Sequence, residues 1–183
     1  KELGSTTQFS ASQAADGMTF LAQAGLSINE IMSALPNTLN LAAAGGINLA
    51  DAADISTNVL SQMGIEAENL TRVNDALAVT TDVQKMAKAM QQAGPVAKGV
   101  GVDLEELTAL IGTLGSEGIA ASRAGTGLKN ALLKIPQASK DSRKRLEELG
   151  VSISDFVDKS GKFTDFTGFI EALSETNVKA TDL

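Results

Sequence analysis

Apolar residues recur along this chain at intervals of three and four, in short runs that stop at glycine. Ala14, Ala15, Met18, Leu21 and Ala22 make the first run, ending at Gly25; Ala52, Ala53, Ile55, Val59 and Leu60 make another between Asn48 and about Met63. This period marks amphipathic helices. The joint between two such runs, Leu41-Ala-Ala-Ala-Gly45-Gly46-Ile47-Asn48-Leu49-Ala50-Asp51, carries the design of the whole chain. Gly45 or Gly46 can close one helix in the left-handed conformation, Ile47 can fold back on its last turn, and Asn48 can cap the next helix with Asp51 in the favoured first turn. A glycine followed by a branched apolar residue also occurs at Gly25-Leu26, Gly64-Ile65, Gly101-Val102, Gly118-Ile119 and Gly150-Val151. The expected fold is all-α, a compact bundle of short helices with glycine corners.

Punctuation refines the boundaries. Ser10 to Gln13, Ser27 to Glu30 and Thr81 to Gln84 have capping-box spacing, and Asp103 to Glu106 caps a helix through Leu114. Proline costs about 3 kcal/mol inside a helix but is tolerated at its first position. A break is therefore expected near Leu35, with Pro36 opening a new helix to Ala44, and another at Gly94-Pro95. A helix over about Glu68 to Thr80 precedes Thr81. Ala120 to Lys134 reads as a helix interrupted by Gly125-Thr126-Gly127, glycines best explained by close approach of another backbone. Ser139 to Leu149 is a short charged helix.

The pattern changes after Gly150. Val151-Ser-Ile153-Ser-Asp-Phe156-Val157 alternates, and Asp158-Lys-Ser-Gly161 is a turn before Lys162-Phe163, which predicts a small β-hairpin near residues 151–164. A last helix, Phe166 to Glu175, carries Phe166, Phe169, Ile170 and Leu173 on one face. Two units are expected: a helical module over 1–150, and a hairpin with the start of a C-terminal helix over 151–183. The start at Lys1 and the lack of a stop before Leu183 read as a segment of a longer protein.

Composition narrows the chemistry. The chain of 183 residues is 43% apolar but only 3% aromatic, and it has no Cys, His, Trp or Tyr. Thiol nucleophiles, disulfides, zinc fingers and histidine acid–base catalysis are absent. Of the net charge of −7, residues 1–80 carry eight acidic residues against two basic ones, so the first half should be repelled by nucleic acid. No apolar run approaches the roughly 20 residues of a membrane-spanning helix.

The remaining candidates reduce to structural readings. Gly125-Thr126-Gly127-Leu128-Lys129 lacks the third glycine of a dinucleotide fingerprint and follows no strand. Gly112, Gly115 and Gly118 line a helix face for close contact. Glu105-Glu106 sits in a first helical turn, Glu147-Glu148 lies beside Lys144 and Arg145, and Asp155, Asp158 and Gly161 lack the alternation of a calcium loop. Lys140, Arg143, Lys144 and Arg145 form a basic group, but three acidic residues share their helix and no aromatic interleaves. No catalytic, cofactor-binding or metal-ligating residue is assigned, and no enzyme activity is expected.

Three stretches together resemble the phage tail tape measure family, also called phage-related minor tail proteins. They are Phe9 to Gly25; Leu35-Pro-Asn-Thr-Leu-Asn-Leu through Gly45-Gly46 to Ala52-Ala53-Asp54-Ile55; and Ala93-Gly94-Pro95-Val96-Ala97 through Gly101-Val102, Leu104-Glu105-Glu106, Gly118-Ile119, Ala124 to Leu128 and Leu146 to Val151. The family has a longer polar loop where this chain passes from Thr81 to Asp82, and it continues past the equivalent of Leu183. The resemblance implies a virion component inside the tail tube that acts in tail assembly and sets tail length, present in host cytoplasm during assembly. Its implied partners are tail tube, tail-tip and assembly chaperone proteins, with self-association a further mode and no specific nucleic acid. A chain broken every twenty residues is a poor ruler by itself, so a docking module attached to one is expected. The competing readings are a helical regulatory or nucleic-acid-associated module of a bacterial genome, and a non-catalytic part of a cell-wall hydrolase.

Overall fold

The computed structural model describes residues 9–78 and 82–176. Nine α-helices follow one another among them: α1 Ala11–Gln23, α2 Ile28–Gly45, α3 Leu49–Met63, α4 Leu70–Ala78, α5 Val83–Val100, α6 Leu104–Ser116, α7 Ala121–Lys134, α8 Lys140–Glu148 and α9 Phe166–Glu175. Short 3-10 turns occupy Ala67–Asn69 and Ile153–Asp155. The all-α bundle expected from the periodicity is present.

All six glycine corners form. At each one the glycine takes a left-handed φ between 59° and 93°. The apolar residue after it donates its amide to the carbonyl five positions back, as Ile47 does to Ala42 at 3.0 Å and Val102 to Ala97 at 2.9 Å. Of the two candidates at the central joint, Gly46 is the corner and Gly45 ends α2. Asn48 accepts from the Asp51 amide at 2.8 Å. Reciprocal capping boxes close Ser10 with Gln13, Ser27 with Glu30 and Asp103 with Glu106. At the start of α5 the cap is Asp82, one residue later than read; Thr81 and the passage before it lie outside the described residues.

Short corners send each helix back beside the last. Through α7, every helix touches the next and the next but one. The odd-numbered helices α1, α3, α5 and α7 therefore make one row and α2, α4 and α6 a second, with the core between them. Leu21, Leu35, Leu39, Leu70, Leu77 and Leu107 are fully buried there. In the same interior three of the four buried polar side chains, from three helices, come together. Asn74 of α4 donates to the Thr38 hydroxyl of α2 at 3.0 Å and faces the Ser56 hydroxyl of α3.

Three expectations are corrected. Pro36 does not break the chain: α2 runs unbroken from Ile28 to Gly45, and α5 likewise carries Pro95 inside it. Continuity keeps Ile31, Leu35, Leu39 and Leu41 on one buried face. At roughly 1.5–3 kcal/mol for each such side chain, this outweighs the cost of one proline. Nor is α7 interrupted at Gly125-Thr126-Gly127.

The third correction is the β-hairpin near 151–164. No strand exists among the described residues, and only a single antiparallel bridge joins Val157 to Phe163. The alternating apolar residues do turn inward, with Val151, Ile153 and Phe163 buried. Their amides find other partners: Val151 bonds Leu146, Phe156 bonds Ile153, and Phe163 bonds Val100 at the α5–α6 corner at 2.7 Å. Only the Asp158 and Thr164 amides bond across the turn, to the Lys162 and Phe156 carbonyls, too few to extend the bridge into a ladder. Edge-on contacts of Phe163 with Phe166, at 4.9 Å between ring centroids, and of Phe156 with Phe169, at 5.6 Å, hold this segment and α9 together.

Candidate functional site

Each charged or glycine-rich candidate occupies a definite place in the bundle. Glu105, in the first turn of α6, forms a two-pronged ion pair with Arg72 of α4, Arg72 donating through Nε and Nη2. The hydrogen bond from Arg72 is the main reason the Glu105 carboxyl is held below its ordinary range, and the same bond raises the Arg72 guanidinium. Both side chains are about half exposed, at 47% and 50%, so the pair contributes under about 1 kcal/mol. Because the folded carboxyl titrates lower than the unfolded one, that contribution is complete above pH about 4.3 and is lost as pH falls through the lower folded value. Arg72→Met should therefore lower stability by under about 1 kcal/mol at pH 7 and leave it nearly unchanged once Glu105 is protonated, flattening the acid limb, measured by urea unfolding across pH.

Glu106 is occupied differently. It closes the α6 capping box and accepts from the amide and hydroxyl of Thr167 at 3.2 and 2.8 Å, which tethers the start of α9 to the bundle. The two carboxylates thus serve separate contacts and do not converge. Asp158 accepts from the Ser160 amide and hydroxyl and from the Lys162 amide, all within 3.0 Å, and these bonds lower its carboxyl. It organises a turn. Among the described residues no three acidic side chains gather in a way that would hold a metal ion.

The basic group on α8 is partly committed as well. Arg143 donates to the carbonyls of Ala138 and Pro136 at 3.1 and 2.7 Å and so closes the α7–α8 turn. Lys144 lies 3.9 Å from Glu148. Lys140 and Arg145 remain exposed, without an aromatic platform for bases.

The glycines divide sharply. A Cβ on Gly125 would stand 2.6 Å from the Ala89 carbonyl oxygen and 2.8 Å from its Cα, so close backbone approach explains this residue. Gly112, Gly115 and Gly118 have nothing within 4 Å of such an atom, which corrects the reading that they line a helix contact. They edge an open groove of about 560 Å³ between α6 and the first turns of α5 and α7, with Met86, Ile111 and Lys85 in its wall.

A family model described as phage-related minor tail protein matches residues 1–182. The chain belongs to the phage-related minor tail protein family. It is 41% identical over 159 residues to the tape measure protein of Pneumococcus phage Dp-1, and 32% identical over 160 residues to the probable tape measure protein of Escherichia phage P2. These alignments cover 84% and 85% of this chain but only 14% and 20% of those relatives. No solved structure matches it. This minor tail protein chain has no helix, among its described residues, long and apolar enough to cross a membrane.

The sequence pattern did not single out two features. One is the buried polar set Thr38, Ser56 and Asn74, whose members are far apart in the chain. The other is a set of large apolar residues left exposed: Phe20, Ile28, Met32, Leu133 and Leu149. The first three sit outside the buried stripes of α1 and α2, a mismatch of phase visible in the sequence once the inward faces are known.

Proposed function

We propose that this chain is a compact docking module of a tail tape measure protein, acting in tail assembly and length determination through contacts with other tail proteins and without catalysis. Its place would be the virion tail, inside the tube, after assembly in the host cytoplasm. The observation that carries the reading is the combination of similarity to tape measure proteins over more than four fifths of the chain with a fold that folds back on itself. A ruler gains length from continuous helix at 1.5 Å per residue. The longest described helices here have 18 residues, about 27 Å, and their neighbours run back beside them. Such a module adds contact surface and almost no length. In the same reading the chain divides into a helical module over 1–150 and a smaller unit over 151–183.

Deleting these 183 residues in frame from a phage or prophage tape measure gene tests the proposal. Electron microscopy should show loss of assembled tails, with no regular population of shorter ones. Intact tails shortened by roughly 270 Å, the length of 183 residues as straight helix, would show that the segment is ruler and would overturn the docking reading.

A further inference from the structure

A stack of helices in two rows has two ends, and residues at an end lack the neighbour that covers every interior helix. At the first end stand α1 and α2. Exposed Phe20 lies on α1, while Ile28 and Met32, 76% and 53% exposed, lie one turn apart on α2. From Phe9 to Ala50 the chain has only two charges, Asp16 and Glu30, both acidic. At the other end stands α7, followed by α8. Leu133 on α7 and Leu149 at the close of α8 are exposed. All charges of α7 are basic: Arg123, Lys129 and Lys134. All five large apolar side chains exposed among the described residues thus belong to the two end regions, and these carry opposite charge.

The spacing matches as well. Phe20 follows Asp16 by one turn, and Leu133 follows Lys129 by one turn, so an acidic–apolar doublet on α1 is mirrored by a basic–apolar doublet on α7. Both helices belong to the odd row. We propose that a second copy of this chain docks head to tail, α7 of one copy against α1 of the next, continuing the row across the contact. Burial of the apolar residues drives the contact, and opposite charges fix its direction. Two like ends would set acid against acid or base against base. A heterologous contact of this kind grows into a ring or a filament. It does not depend on the location of the protein in a tail.

Sedimentation of the chain over a range of concentrations tests this directly. The wild-type chain should self-associate, at least tenfold more weakly in high salt than in low salt. Phe20→Lys with Ile28→Lys blocks the first end, and Leu133→Glu with Lys134→Glu blocks the second. Each doubly substituted chain alone should be a monomer with native helical circular dichroism. Mixed in equal amounts they should form a dimer that grows no further, because each supplies the end the other lacks. A wild-type chain that stays monomeric would overturn the proposal, as would a mixture that stays monomeric or an end-blocked chain that dimerises alone. Self-association of the chain in solution requires no tail, so its outcome is independent of that of the gene deletion.

Discussion

Gly125→Ala should lower stability by about 3 kcal/mol, while Gly127→Ala, two residues along the same helix, should raise it by about 1 kcal/mol. The two substitutions make the same change of intrinsic propensity, worth roughly 1 kcal/mol in favour of alanine. They differ in what the new methyl group meets. At Gly125 it falls 2.6 Å from the carbonyl oxygen and 2.8 Å from the Cα of Ala89, on the α5 backbone, which cannot swing aside as a side chain can. Relief requires moving α7 away from α5, the most extensive helix pair in the bundle, at the cost typical of an overpacked core. At Gly127 nothing lies within 4 Å. Urea unfolding of the two variants should shift the midpoint in opposite directions; a shared direction would show that the α5–α7 approach is looser than described.

Asn74→Asp is expected to be at least as damaging, and its damage should depend on pH. Asn74 is 1% exposed and links three helices through one amide. Its Nδ2 donates to Thr38 Oγ1, and its Oδ1 faces the Ser56 hydroxyl, whose proton is shared with the Ala52 carbonyl 2.7 Å away. Thr38 in turn donates to Ala34 at 3.0 Å. Because both hydroxyls keep a carbonyl on their own helix, Asn74→Ala leaves neither donor orphaned and should cost about 2–3 kcal/mol for the lost bonds and the cavity. An aspartate adds a carboxyl whose charged form is disfavoured by burial, so its folded pKa lies above the unfolded value near 3.9. Relative to wild type, Asn74→Asp should be closest below about pH 4 and lose stability as pH rises through the folded pKa. Difference unfolding curves at several pH values check the sign.

Much of this architecture is local and therefore readable. The left-handed glycine, the returning apolar residue and the oxygen-bearing cap lie within a few positions of one another, so all six corners and the helix limits at Asn48, Ser139 and Phe166 follow from short-range chemistry. Failures arose where local preference met a distant partner. Pro36 and Pro95 break helices in isolation, but the core faces on either side of each hold one axis. The alternation from Val151 to Val157 has strand character, but the segment facing it pairs through a single bridge only. The amide of Phe163 goes to Val100. Equally spaced glycines at 112, 115 and 118 looked like a contact face, whereas it is Gly125 on α7 that meets the backbone of a neighbouring helix. Spacing shows which residues share a face. It does not show whether anything comes to meet that face.

The sequence by itself determined the all-helical class, the corner positions, the absence of thiol and imidazole chemistry, and the family to which the chain belongs. Tertiary structure decided that the helices form two rows, that Asn74 joins Thr38 and Ser56 inside them, and that Phe20, Ile28, Met32 and Leu133 are left outside. The reason is one of range. Helix start and stop depend on groups a turn apart, while burial depends on which of several apolar faces finds a neighbour, and only the folded chain assigns those neighbours.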